Sequence, residues 1–324
     1  MIEPMRSLVR RLAFAPVVVF VVATLTYATT RLLRPDLYGP NPPSVLSGTA
    51  HDVARVFLHF DFGVACNWRG CPPVRVLWER GVAWDLWLLA GGMAIGVAAG
   101  VLAGMWCAGR PRSFSARVLE MSAMVLFCAP VYVVGLLLLK LFNPTFGLFG
   151  IPYFFDAEPK WVTPWGSPWD WFRQLLVPWL VLAAPLAAMC LRLTLNTMLE
   201  ALDEDYVRTG TAKGLSRRRV MVRHVGPASF VTTASFVGIS VPLVVTNLVL
   251  VERTLAVPGF LRHTWKALGN MDPGHDRLND LTIQPDFPML AGLTVWGCVL
   301  IVVLGLIADA VLPWLDPRIR AAAD

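Results

Sequence analysis

Long apolar stretches alternate with shorter polar segments along most of this chain. Six stretches stand out: Leu12–Thr30, Ala83–Ala108, Val118–Phe142, Gln174–Leu191, Val225–Val251 and Met289–Leu312. Each approaches or exceeds the roughly 20 apolar residues that cross about 30 Å of hydrocarbon. Inside a bilayer the backbone must satisfy its own hydrogen bonds, so each stretch predicts a membrane helix. The fourth carries Pro178 and Pro185 and the fifth carries Pro242. A proline removes a backbone donor, so these helices are expected to bend and lean on neighbours. The first stretch is too long for a signal peptide and has no convincing small-residue cleavage site, which favours an uncleaved span.

The segments between the stretches are of two kinds. Arg31–Val82, Asn143–Arg173 and Glu252–Pro288 are longer, rich in proline, glycine and aromatic residues, and dilute in basic ones. Within them His51–Asp61 and Phe260–Leu268 predict short helices, the first lying on the membrane surface. Gly269–Gln284 is polar, with Asp272, Asp276 and Asp280. The other kind is short or strongly basic. Arg110, Arg112 and Arg117 crowd one link, and seven Lys and Arg residues fall between Arg192 and His224.

The segment Glu200–His224 reads as helix, stop, helix. Leu202, Tyr206 and Val207 give its first helix a narrow apolar stripe. Gly214 suits the position just past a helix end, where a left-handed backbone carries no Cβ penalty. Ser216 suits the N-cap of a second helix with Val220, Met221, His224 and Val225 on one side. Arg217, Arg218, Arg219 and Arg223 give the pair the look of a DNA-reading helix-turn-helix, but membrane stretches on both sides argue strongly against it.

Composition agrees with a membrane chain. Apolar residues make up 56% and charged residues 15%, against about a quarter charged in soluble domains. Basic residues concentrate at the N-terminus (Arg6, Arg10, Arg11), in the two basic links and at the tail (Arg318, Arg320). The positive-inside rule puts both termini and the Glu200–His224 segment in the cytoplasm. The net charge of +6 is then a topology signal rather than a nucleic-acid footprint. Trp84, Trp87, Trp171, Trp179 and Trp314 fit either an interfacial aromatic belt or core packing.

No catalytic or metal-ligating constellation stands out. His59 and Asp61 lie two apart, and surface polarity accounts for them more simply than acid–base chemistry. Asp309 lies within the last stretch, where it could pair with a cytoplasmic arginine or face a subunit interface, and a structural role is favoured. A nucleotide-binding loop needs a Gly-Lys pair, and none of Lys140, Lys160, Lys213 and Lys266 follows a glycine. Any energy from ATP must come from another polypeptide. Cys107, Cys128, Cys190 and Cys298 fall in apolar stretches. Cys66 and Cys71 fall in the first outer segment, where a disulfide is the favoured reading.

The run Asp205-Tyr206-Val207-Arg208-Thr209-Gly210-Thr211-Ala212-Lys213-Gly214-Leu215 resembles the cytoplasmic coupling loop of ABC-importer permeases of the dipeptide/oligopeptide/nickel class. Gly210 stands where that family usually has Ala. The resemblance extends along the chain through Asp61-Phe62-Gly63, Pro73-Val74, Ala129-Pro130, Glu252, Pro258-Gly259, Asp286-Phe287-Pro288 and Asp316-Pro317-Arg318-Ile319-Arg320. It implies an all-α, polytopic fold of six membrane helices, the type I importer permease fold, as a single domain over residues 1–324. Residues 31–82 would form an extracytoplasmic loop and residues 192–224 the cytoplasmic ATPase-coupling loop. It implies a B-type permease subunit of an importer in the cytoplasmic (inner) membrane, with no cofactor on this chain. ATP and Mg would belong to two partner ATPase subunits, beside a second permease subunit and an extracytoplasmic substrate-binding protein. Asp205, Tyr206, Arg208, Thr211, Ala212, Lys213, Gly214 and Leu215 would form the docking loop.

A translocation path needs hydrogen-bonding partners for a polar cargo. Thr232, Thr233, Ser235, Ser240, Thr246 and Asn247 supply such groups on the fifth stretch. The alternative for each is helix packing by small residues. The family's small, Gly-rich turn in this region is replaced by Pro242-Leu-Val-Val-Thr-Asn247, which leaves open whether the cargo is a dipeptide, a longer peptide, a nickel chelate, glutathione or a sugar. A membrane-embedded enzyme and a secondary transporter stand as the other readings. The first would need convergent ionisable groups and the second a repeated half, and neither is evident.

Overall fold

A computed structural model of the chain describes residues 2–33, 35, 43–65, 72–143, 148–149, 161–268 and 285–315. Among these residues the regular structure is helical, with one isolated antiparallel bridge between Val64 and Pro73. The order is α1 (Ile2–Leu33), α2 (Val45–His59), α3 (Val74–Gly109), α4 (Phe114–Cys128), α5 (Val131–Phe142), α6 (Pro168–Leu202), α7 (Asp205–Ala212) and α8 (Arg217–Val220). A π-helical turn, Met221–Val225, follows, then α9 (Gly226–Thr254), a 3-10 turn at Leu261–His263, α10 (Thr264–Leu268) and α11 (Phe287–Leu315).

Among the described residues five helical segments are long and apolar enough to cross a membrane: Arg10–Leu33, Val74–Gly109, Pro168–Leu202, Ser229–Thr254 and Phe287–Val311. The third predicted stretch is not one straight helix. It divides into α4 and α5, bent by 106°, and counts as a sixth span only as a broken one. Pro130 causes the break. It offers no N–H and pushes Ala129 out of the helical region, to φ −74° and ψ 129°. By contrast α6 runs unbroken through Pro178 and Pro185, and α9 through Pro242.

Serines set several helix starts. Ser44, Ser113 and Ser167 each accept a backbone N–H three residues on, capping α2, α4 and α6. Several helices overrun the predicted boundaries, α3 and α6 among them. α3 begins at Val74, inside the predicted outer loop, and α6 continues to Leu202, inside the predicted coupling loop. Both overruns are amphipathic extensions of apolar stretches, which a hydrophobicity boundary cuts short.

The chain forms two compact units. The first comprises Met1–Met5, Trp87–Val257 and Leu304–Asp324. In it α6 packs on α9, on α4 and closely on α3, where Gly92, Gly96, Gly100 and Gly104 form a ridge at four-residue spacing. A Cβ added at Gly100 would stand 2.5 Å from the Ala187 carbonyl oxygen and the Cys190 Cβ. One added at Gly104 would stand 2.7 Å from the Leu191 carbonyl oxygen and the Thr194 Cβ. Only glycine lets the two helices approach this closely. At the other end of the contact the Trp179 indole donates to the Trp87 carbonyl, and Trp171 packs edge-on against both rings. These three tryptophans pack on one another, whatever their depth in a membrane.

The second unit comprises Arg6–Leu86 and Pro258–Val303. In it α2 packs on α1 through Phe57 on Phe20 and through a buried, two-pronged ion pair, in which Arg31 Nε and Nη2 donate to Asp52 at 2.9 and 2.7 Å. Asp61-Phe62-Gly63 closes on itself: the Gly63 N–H and then the Arg55 guanidinium hold the Asp61 carboxyl below the usual range. Phe60, Trp78 and Trp296 make a chain of edge-on rings.

Candidate functional site: the α7 segment

α7 starts within a cluster of acids, Asp203, Glu204 and its own first residue Asp205, which suits the positive end of a helix dipole. It ends in a Schellman motif. Lys213 is the cap, the Gly214 N–H donates to the Thr211 carbonyl at 2.9 Å, and the Leu215 N–H donates to the Gly210 carbonyl at 3.2 Å. Gly214 has φ +80°, the left-handed conformation expected for it, and a Cβ there would meet nothing within 4 Å. The constraint at Gly214 is therefore one of backbone conformation alone.

The two sides of α7 differ sharply. Val207 is 7% exposed and lies in a buried cluster with Cys107 and Ala108 of α3, Ala116 of α4, Leu195 and Met198 of α6, and Val220, Met221 and Val225. Leu215 packs against the edge of this cluster. Burying one such valine contributes roughly 1.5–3 kcal/mol. The opposite side is open, with Asp205 and Arg208 side chains 97% and 74% exposed and joined only by a long surface contact of 3.8 Å. Tyr206, Thr211, Ala212 and Lys213 are exposed beside them. The arrangement is a short helix keyed by its apolar side to the ends of three long helices, with its polar side unoccupied among the described residues.

Two details differ from the sequence expectation. Leu202 is the last residue of α6 and does not belong to the α7 stripe, because Asp203 and Glu204 separate the helices. The second helix after Ser216 is not separate either. α8 passes through the π-helical turn directly into α9, with Val220, Met221 and Val225 buried.

The six path candidates on α9 fall on different sides. Thr233 and Ser240 are buried, and Thr233 shares a hydrogen bond with Thr194 of α6 at 3.1 Å. Thr232 and Thr246 are exposed, on the side that also carries Ile239 at 80% and Leu243 at 54%. Ser235 and Asn247 are half-buried. The hydroxyls of Ser235, Ser240 and Thr246 each donate to the carbonyl four residues back. Their lone pairs stay available and their protons do not. Thr233 and Ser240 are thus packing groups, and the open side of α9 is marked by Thr232, Ser235 and Thr246.

Cys66 and Cys71 lie outside the described residues, as does the polar stretch after Leu268 up to Gln284. The sequence expectation missed the glycine ridge of α3, although its signal, small residues recurring every fourth position, is a known mark of close helix contact.

Residues 100–321 match the family model described as the inner membrane component of binding-protein-dependent transport systems. An oligopeptide transport system permease protein, OppB, of Mycobacterium tuberculosis is 29% identical, covering 98% of this chain and 99% of its own length. A probable peptide ABC transporter permease protein of Sinorhizobium fredii is 28% identical over 94% of this chain and 89% of its own. A dipeptide transport system permease protein, DppB, of Bacillus subtilis is 26% identical over 82% and 77%.

Proposed function

The chain belongs to the family of inner membrane components of binding-protein-dependent transport systems, and from that premise we propose that it forms half of the path of an ATP-driven peptide importer. Its partners in this reading are a second permease subunit, two ATPase subunits that bind ATP and Mg, and an extracytoplasmic binding protein that delivers the peptide. In this reading both termini and α7 face the cytoplasm, which the arginine distribution supports. The peptide cargo is taken from the relatives' names and from the hydroxyl-bearing open side of α9, which offers acceptors to backbone N–H groups.

One observation carries the mechanism: Val207 and Leu215 anchor α7 to the ends of α3, α4 and α6 while its polar side stays open. A push on that side by an ATPase subunit cannot be absorbed by α7 alone, because the buried cluster would have to open first. It passes instead to three long helices and, through the π-helical turn, to α9. ATP binding in the partners then biases the permease between two discrete packings rather than deforming it continuously. This chain's residues supply contact and leverage, and hydrolysis takes place in the partners.

The test is reconstitution. Proteoliposomes holding this chain, the second permease and the ATPase subunits should accumulate a labelled oligopeptide only with internal ATP and external binding protein. Uptake that needs neither would overturn the proposal and favour a secondary transporter.

A further inference from the structure

A groove between α4 and α6, within the first unit, holds a cavity of about 230 Å³. Ala123 and Ala188 are its floor, and their small buried side chains leave the space. The wall carries Met121 and Met124 of α4, 64% and 57% exposed, then Phe127 one turn on, with Met189 of α6 opposite. Opposite charges complete the lining, Glu120 on α4 and Arg192 on α6. Both side chains are exposed, and among the described residues neither is ion-paired.

Hydrocarbon does not suit this lining. Glu120 stands about 10 Å along α4 from its Ser113 cap, and Arg192 about 15 Å before the end of α6. Charges set that far into apolar helices face a bundle interior or an aqueous cavity rather than lipid tails. The helix break points the same way. Just past Phe127 the backbone leaves helical geometry at Ala129, and Pro130 has no N–H to give the Leu126 carbonyl. Interrupted backbone within a span is tolerated against protein or water and not against lipid. Methionine walls suit a guest of variable shape, because the thioether chain turns about three bonds and repacks around different apolar groups. The cavity is smaller than the roughly 300–1,000 Å³ that enclose a whole drug-sized ligand, which limits it to one side chain and its backbone.

We propose that this cavity is a subsite of the peptide path: it takes one apolar side chain of a short zwitterionic peptide, while Glu120 receives the peptide's ammonium group and Arg192 its carboxylate. The inference rests on the importer reading for the peptide and on the cavity for the subsite. A zwitterionic phospholipid offers the same two charges and an acyl chain, and the broken helix end beside the cavity favours the peptide over it.

The experiment uses the assembled importer in proteoliposomes, with one unaltered binding protein throughout so that delivery is the same for every variant. Uptake of triglycine and of glycyl-leucyl-glycine is measured side by side. Met124→Trp fills the cavity and should lower uptake of the leucyl peptide about tenfold more than that of triglycine. Glu120→Gln and Arg192→Gln should each lower uptake of both peptides about tenfold, and Arg192→Lys by less. In wild type, a tripeptide carrying a diazirine analogue of leucine, irradiated during turnover, should attach to Met121, Met124, Phe127 or Met189. Equal losses of the two peptides in Met124→Trp would overturn the subsite, as would adducts found only elsewhere. Phospholipid retained by wild type and lost from Met124→Trp, with no peptide adduct at the cavity, would give the cavity to lipid and overturn it too. If Met124→Trp fails to assemble, the adducts in wild type decide alone. A wild-type complex that takes up neither peptide would defeat the importer reading itself, and this inference with it.

Discussion

The hydroxyls of Thr194 and Thr233 meet at 3.1 Å between α6 and α9, both shut away from the surface. The contact separates two roles on one helix, because Thr232, the next residue back, faces outward. Thr233→Val should lower the melting midpoint of the purified complex, by a loss of about 0.6 kcal/mol and at most about 1.7. Thr232→Val should leave the melt unchanged and reduce peptide uptake. Equal melts for the two variants would mean that the shared hydrogen bond contributes nothing.

The α3 ridge makes a sharper stability prediction. Gly100→Ala places a methyl group against the Ala187 carbonyl and Cys190, neither of which is a flexible side-chain tip. Overpacking of this kind typically costs about 1–3 kcal/mol. Gly305→Ala on α11 meets nothing within 4 Å and should be neutral or slightly stabilising. Thermal denaturation of the two variants side by side checks the contrast.

These examples also show how far the sequence could be read. The apolar stretches were plain because a bilayer demands length and hydrophobicity together, and Gly214 was plain because a charged helix followed by Lys-Gly-Leu has few other endings. The faces of α9 were not legible. Thr232 and Thr233 are adjacent on a helix that is apolar nearly all round, so no polar side exists to fix its rotation. The ridge of Gly92, Gly96, Gly100 and Gly104 was visible as spacing but silent about its partner, because nothing in α3 names α6. Asp85 was hidden for a similar reason: Phe260 and Trp296, which donate to it, lie far along the chain.

Gly210 offers a gain rather than a loss. A Cβ there would sit 3.6 Å from Leu215 Cδ1 and 3.9 Å from Val220 Cγ2, both ordinary contacts. In the Schellman motif this is the residue whose side chain meets the one at Leu215's position. Gly210→Ala should therefore stabilise α7 by about 0.5–1 kcal/mol. Slower hydrogen exchange of the 205–215 amides would show it, and faster exchange would count against the motif.

His263 gives a pH dependence. Burial, then the nearby Arg262 and Lys266 charges, pushes its imidazole down to about 4 from 6.5. Because the folded value lies below the unfolded one, the unfolded chain binds the proton first as pH falls. This contribution is intact above about pH 6.5 and is lost progressively toward pH 4. Its size is roughly 3 kcal/mol. His263→Gln should flatten the fall in melting midpoint across that window, and an unchanged slope would assign the acid sensitivity elsewhere.

The coupling role of α7 is tested most directly at Gly214. At φ +80° with open space around it, Gly214→Val introduces backbone strain and no clash, about 1–2 kcal/mol for leaving the preferred region. That strain re-aims the end of α7 while Val207 stays in its cluster, so assembly in the membrane should survive. The measurement is ATP hydrolysis by the reconstituted Gly214→Val importer, with and without peptide-loaded binding protein. Stimulation by the loaded binding protein and peptide uptake should fall together at normal assembly. Full stimulation at normal assembly would contradict it and leave α7 as a link between helices and nothing more.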